Sequence, residues 1–129
     1  MGIDITAHWR DQSETDRGKQ AAAWLSVDDG DAGYLREAYH GEPYATRVLV
    51  PEAFDLKTFP DGAPIAATTL RKRLRKTLAT ARARQLLIYK EPAGSDDTRM
   101  VCKSFTDFVA LCEAKERDTG APCIIRASY

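Results

Sequence analysis

The sequence predicts an α+β fold: a small, mostly antiparallel sheet of about four strands with helices packed on one face, in a single domain over residues 1–129. Three observations predict it. Residues 3–9 alternate between apolar and polar side chains, the signature of a half-buried strand. Two long stretches, 64–89 and 99–118, repeat their apolar residues at helical spacing. Strands and helices are mixed without the regular rhythm of a parallel βαβ sheet.

In chain order, Ile3, Ile5, Ala7 and Trp9 share one face of the first strand, with Asp4, Thr6 and His8 on the other, open face. Gly2 and Thr6 match the loose N-myristoylation pattern, but a paired strand would hide Gly2. The segment Ser13-Glu14-Thr15-Asp16 starts a helix running to about Ala22, and "AWLSV" reads as a short strand ended by "DDGDAG". Asp31 can then cap a short helix over 32–40, with Leu35, Ala38 and Tyr39 on its inner face and Gly41 and Pro43 ending it. "TRVLV" (46–50) reads as a strand stopped by Pro51.

The helix over 64–89 begins at Pro64 and buries a stripe of Leu70, Leu74, Leu78 and Ala81. Residues 85–90 suit a helix end or a strand equally. "EPAGSDD" is a loop, and the helix over 99–118 turns Val101, Phe105, Phe108, Val109 and Cys112 inward. "PCIIRAS" closes the chain as a strand.

Composition excludes several classes. With 43% hydrophobic and 29% charged residues, this is a globular chain and not a disordered one. No apolar run approaches the roughly 20 residues that span a bilayer, and "MGIDITAHWR" lacks the apolar core of a secretory signal. The cysteines, Cys102, Cys112 and Cys123, include no C-x-x-C pair; buried reduced thiols in a cytoplasmic protein are expected. No H-E-x-x-H, G-x-S-x-G, Walker loop or G-x-G-x-x-G occurs, so no metal and no cofactor is implied.

Residues 33–49, "GYLREAYHGEPYATRVL", concentrate three of the five tyrosines with one of two histidines. The candidate binding residues are Tyr34, Arg36, Glu37, His40, Tyr44 and Arg47. As a helix, the segment sets Arg36 beside His40 at i, i+4 and Tyr34 beside Glu37 at i, i+3. Arg36, His40 and Arg47 would suit a small anionic ligand or a protein partner. His40 with Glu37, or His8 with Asp4, would offer an acid–base pair to an enzyme, with Arg36 and Arg47 as its anion clamp.

Charge is uneven although the net is zero: residues 61–90 carry +7. In "LRKRLRKTLATARAR" the outward cations, among them Arg71, Lys72, Arg75 and Lys76, are candidate contacts for phosphates or an acidic partner. A nucleic acid is one such partner and the acidic half of a second copy, in a homodimer, is another. The helix lacks interleaved aromatics and a helix-turn-helix.

The opening "MGIDI", the tryptophan that follows it, "GYLREAYHG" and "PYATRVL" are similar to small bacterial and phage hypothetical proteins with this layout, over roughly the first 55 residues. The resemblance implies a cytoplasmic bacterial or phage setting and carries no activity, substrate or catalytic set. The reading is therefore a small cytoplasmic binding or regulatory module working through Tyr34–Arg47. A small enzyme and nucleic-acid association through 71–84 stand as the alternatives.

Overall fold

A computed structural model describes residues 2–25 and 30–129. The fold is α+β, built on a four-stranded antiparallel sheet of order β2-β1-β4-β3, with β1 Gly2–His8, β2 Tyr34–Ala38, β3 Ala63–Ile65 and β4 Cys123–Ser128. The helices are α1 Glu14–Leu25, α2 Ala45–Leu49, α3 Ala67–Tyr89 and α4 Asp96–Thr119, with single 3-10 turns at Gly30–Ala32 and Pro51–Phe54.

Alternation in β1 does what the sequence implies. Ile3, Ile5 and Ala7 face a core completed by Leu49, Leu70, Leu74, Phe105, Phe108, Val109 and Ile125. The register sets Ile5 opposite Leu35 and Ala7 opposite Ile125, so each cross-strand pair adds to the same face. α2, α3 and α4 cover that face. On the other face the expected open polar row is partly closed. Asp4 is buried, because the buried Tyr34 hydroxyl donates to its carboxylate at 2.5 Å. Tyr34 in turn lies against Trp24 of α1, with ring centroids 5.5 Å apart.

Two expectations are overturned together. Residues 34–38 form a strand and not part of a helix over 32–40; Gly33, at φ +81°, and Gly41, at φ +116°, bound it with backbone that a right-handed helix cannot use. Leu35 points inward as expected, but Tyr39 is exposed and Ala38 lies on the opposite face from Leu35. Residues 46–49 of the stretch 46–50, read as a strand, belong to the short helix α2 Ala45–Leu49. Its N-cap residue, Tyr44, makes no side-chain cap. Glu37 supplies one from a distance: its carboxylate accepts from the backbone N–H of Ala45 at 2.7 Å and of Thr46 at 2.9 Å, and from the Thr46 hydroxyl. A carboxylate at the positive end of a helix satisfies donors that have no partner within it. One glutamate on a strand therefore fixes the helix that follows.

Smaller boundaries also move. Pro64 sits in edge strand β3, where its missing N–H costs no ladder bond, and the long helix begins at Ala67. The ambiguous 85–90 segment is helical to Tyr89, ended by Lys90 in the left-handed conformation. α4 begins at Asp96, earlier than 99, because Ser95 caps it, accepting from the Thr98 N–H at 3.2 Å. Ala23, Trp24 and Leu25 of the expected strand "AWLSV" belong to α1; the rest of that stretch lies outside the described residues.

Candidate functional site

A groove of about 520 Å³ runs between the edge strand β2 and the junction of α3 with α4. β2 contributes Arg36, Glu37 and Ala38 to one wall. Arg84 and Gln85 of α3 form the floor, and Tyr89, Met100 and Val101 give the opposite wall its apolar character. Glu91, just after α3, and Asp97, in the first turn of α4, bring carboxylates to the mouth.

The floor is built from a buried ion pair. Arg84, only 4% exposed, approaches Glu37 at 3.8 Å and donates to three backbone carbonyls: Ala38 at 2.5 Å, Pro43 at 3.2 Å, and Gly41. Its guanidinium lies over the Tyr44 ring, 4.8 Å from the centroid. These bonds pin the chain leaving β2 onto α3 and leave neither charge uncompensated, the condition under which buried ions are tolerated.

The six residues nominated from 33–49 are therefore not one cluster. Arg36 and Glu37 line the groove, and Arg36 pairs with Asp4 at 3.4 Å. His40 is exposed and exchanges a 2.9 Å hydrogen bond with the Tyr89 hydroxyl, which ties it to the groove wall. Tyr34 is buried beneath α1, and burial and its bond to Asp4 push its hydroxyl up to about 12. Tyr44 packs on Arg84, while Arg47 stacks over Phe54 at 4.3 Å and Tyr129 at 5.7 Å and lies outside the groove lining.

Neither acid–base pair assembles. Glu37 is engaged by Ala45, Thr46 and Arg84, and His40 by Tyr89. His8 bonds to Thr6 at 2.9 Å, and Asp4 is taken by Tyr34 and Arg36. Burial first, and the charge of Arg126 second, hold the His8 imidazole below its ordinary value.

On α3 the basic residues divide. Arg71 pairs with Glu113 at 2.5 Å, Arg73 makes a two-pronged bond to Glu52 at 2.7 and 2.8 Å, and Arg84 is buried. Lys72, Arg75, Lys76 and Arg82 remain exposed, with no acidic partner among the described residues. No group of three or more metal-ligating side chains occurs among the described residues, and no helix there is long and apolar enough to cross a membrane.

Gln85, Tyr89, Glu91, Asp97 and Met100 were not singled out by the sequence, and Val101 was expected only as an inward residue of the helix over 99–118. The one signal available was the apolar run Leu86-Leu87-Ile88-Tyr89, too long for the core stripe of a helix end. Leu87 is in fact 60% exposed. Comparison of the chain with family models, with curated proteins and with solved structures finds no match.

Proposed function

We propose that this chain is a small cytoplasmic binding module whose recognition surface is the groove between β2 and the α3–α4 junction. The observation that carries the reading is the groove itself. Its volume, about 520 Å³, lies within the roughly 300–1,000 Å³ of ligand sites, and it combines apolar walls with a few placed polar groups. The rigid floor supports it too, since Arg84 and Glu37 are held by five hydrogen-bonded or paired partners drawn from different segments. Three cysteines without a disulfide partner fit a reducing compartment.

Amide proton–nitrogen spectra recorded against a fragment library test this. The reading expects saturable shifts confined to residues 36–38, 85–91 and 97–101. Fragments that shift only other surfaces, or none at all, contradict it.

A second reading rests on the exposed cations of α3. Residues 67–89 contain seven basic residues and no acidic one. Five of the seven fall at 71–76, where Arg71 and Arg75, and Lys72 and Lys76, are like-charged i, i+4 neighbours. A nucleic acid laid along Lys72, Arg75, Lys76 and Arg82 would relieve that mutual repulsion. Electrophoretic shift of a short duplex at low salt, lost on reversing Lys72 and Lys76 to glutamate, is the expected result; no shift removes this reading.

A further inference from the structure

We infer that the groove takes a ligand presenting a protonated amine on an apolar or aromatic body. This rests on the reading of the groove as the binding site and adds the chemistry it selects.

Three observations lead there. Both cations in the lining are already neutralised, Arg84 by Glu37 and Arg36 by Asp4, whereas the Glu91 and Asp97 carboxylates have no partner among the described residues. The groove therefore presents net negative charge at its mouth. At its floor lies Gln85, 7% exposed, whose side-chain amide has no hydrogen-bond partner among the described residues and yet is not sealed off. An amide that lines the groove with no partner in the fold can accept from a ligand through Oε1. The wall of Tyr89, Met100 and Val101 is largely apolar, and Met100 is 64% exposed.

An ammonium group carries three donors and no acceptor. Gln85 Oε1 and the two carboxylates are acceptors, and the Tyr89 ring offers a further attraction to a cation. The rest of the ligand would lie along Met100 and Val101. A carboxylate or phosphate would instead meet Glu91 and Asp97 with like charge.

The test titrates the full chain with three compounds of one shape: phenethylammonium, the neutral phenethyl alcohol, and hydrocinnamate. Amide shifts map the site and give each Kd. The inference expects phenethylammonium to bind the groove about tenfold more tightly than the alcohol, as hydrogen bonds to a charged group allow, and hydrocinnamate to bind weakest. In the Glu91→Gln, Asp97→Asn double variant, both changes lying at the groove mouth, that preference falls to within about twofold. A capped Leu-Lys-Leu peptide distinguishes the source of the amine: tighter binding than phenethylammonium indicates a lysine side chain of a protein partner, weaker binding a small free amine, and either supports the class. If the alcohol or hydrocinnamate binds the groove as well as the ammonium does, the amine inference fails and the site stands. If none of the four probes shifts groove residues, both fall.

Discussion

Glu37 of β2 and Arg84 of α3 meet as a buried ion pair at 3.8 Å, their side chains 6% and 5% exposed. Between them they hold the N-terminus of α2, the carbonyls of Ala38, Gly41 and Pro43, and the floor of the groove. Sequence separation of 47 residues makes this contact invisible to any local reading, yet it ties the strand over 34–38 and the helix over 45–49 to α3.

Removing one member leaves the other charged and buried. Arg84→Met should cost about 3–5 kcal/mol of unfolding free energy, as broken buried pairs do. Glu37→Gln should cost a similar amount, since α2 loses its distant cap as well. The double variant should lose clearly less than the sum, because the two side chains share partners. Urea unfolding of the four proteins measures the coupling; strict additivity would show that the pair is not coupled.

Two glycines should respond in opposite directions. A Cβ on Gly30 would stand 1.8 Å from the Ser104 carbonyl oxygen, where the turn meets the backbone of α4. Gly30→Ala should therefore destabilise by about 3 kcal/mol. Gly18 lies inside α1 with nothing within 4 Å of the added carbon. Gly18→Ala should stabilise by about 0.5–1 kcal/mol through lower backbone entropy in the unfolded chain. Thermal unfolding of both variants reads the two signs directly.

Acid should weaken the fold in two separable steps. His8 is held below its ordinary value of 6.5, so the unfolded chain binds that proton more readily. Its contribution is complete above the ordinary value and is lost as pH falls from there through the lowered folded value. The hydrogen bonds from Arg73 hold Glu52 below its ordinary 4.5; that contribution is complete above 4.5 and is lost as pH falls through the folded value. Unfolding free energy followed from about pH 8 to about pH 3 should lose its upper step in His8→Gln and part of its lower step in Arg73→Gln. Profiles parallel to the wild type in both variants would contradict these assignments.

Any polyanion held by Lys72, Arg75, Lys76 and Arg82 should be released by salt. Neutralising about four phosphates gives a slope of log K against log salt near −3.6, and Lys76→Gln should reduce it by about one. A slope near zero would show that the stripe is only a solvated face.

Much of the scaffold was legible because it is periodic. The alternation of Ile3, Ile5 and Ala7, and the stripe of Leu70, Leu74 and Ala81, each assign a face without reference to anything distant. The segment 32–50 was misread because its local signals point the wrong way. Leu, Arg, Glu and Ala favour a helix where pairing with β1 imposes a strand, while Thr46, Val48 and Val50 suggest a strand where Glu37 caps a helix. Leu35 is inward under either assignment, so it could not discriminate. Of the groove, only Arg36 and Glu37 were named in advance as binding residues. Gln85, Tyr89 and Val101 reach it through the packing of α3 on α4 beside β2, which residue spacing does not encode.

The most direct test of the groove as a binding site is a phenethylammonium titration of the wild type beside Val101→Trp, with thermal unfolding showing that the variant remains folded. The account predicts saturable shifts at Arg36, Gln85 and Asp97 in the wild type, and none up to the same concentration once the indole fills the wall. A folded Val101→Trp protein that titrates like the wild type would contradict it.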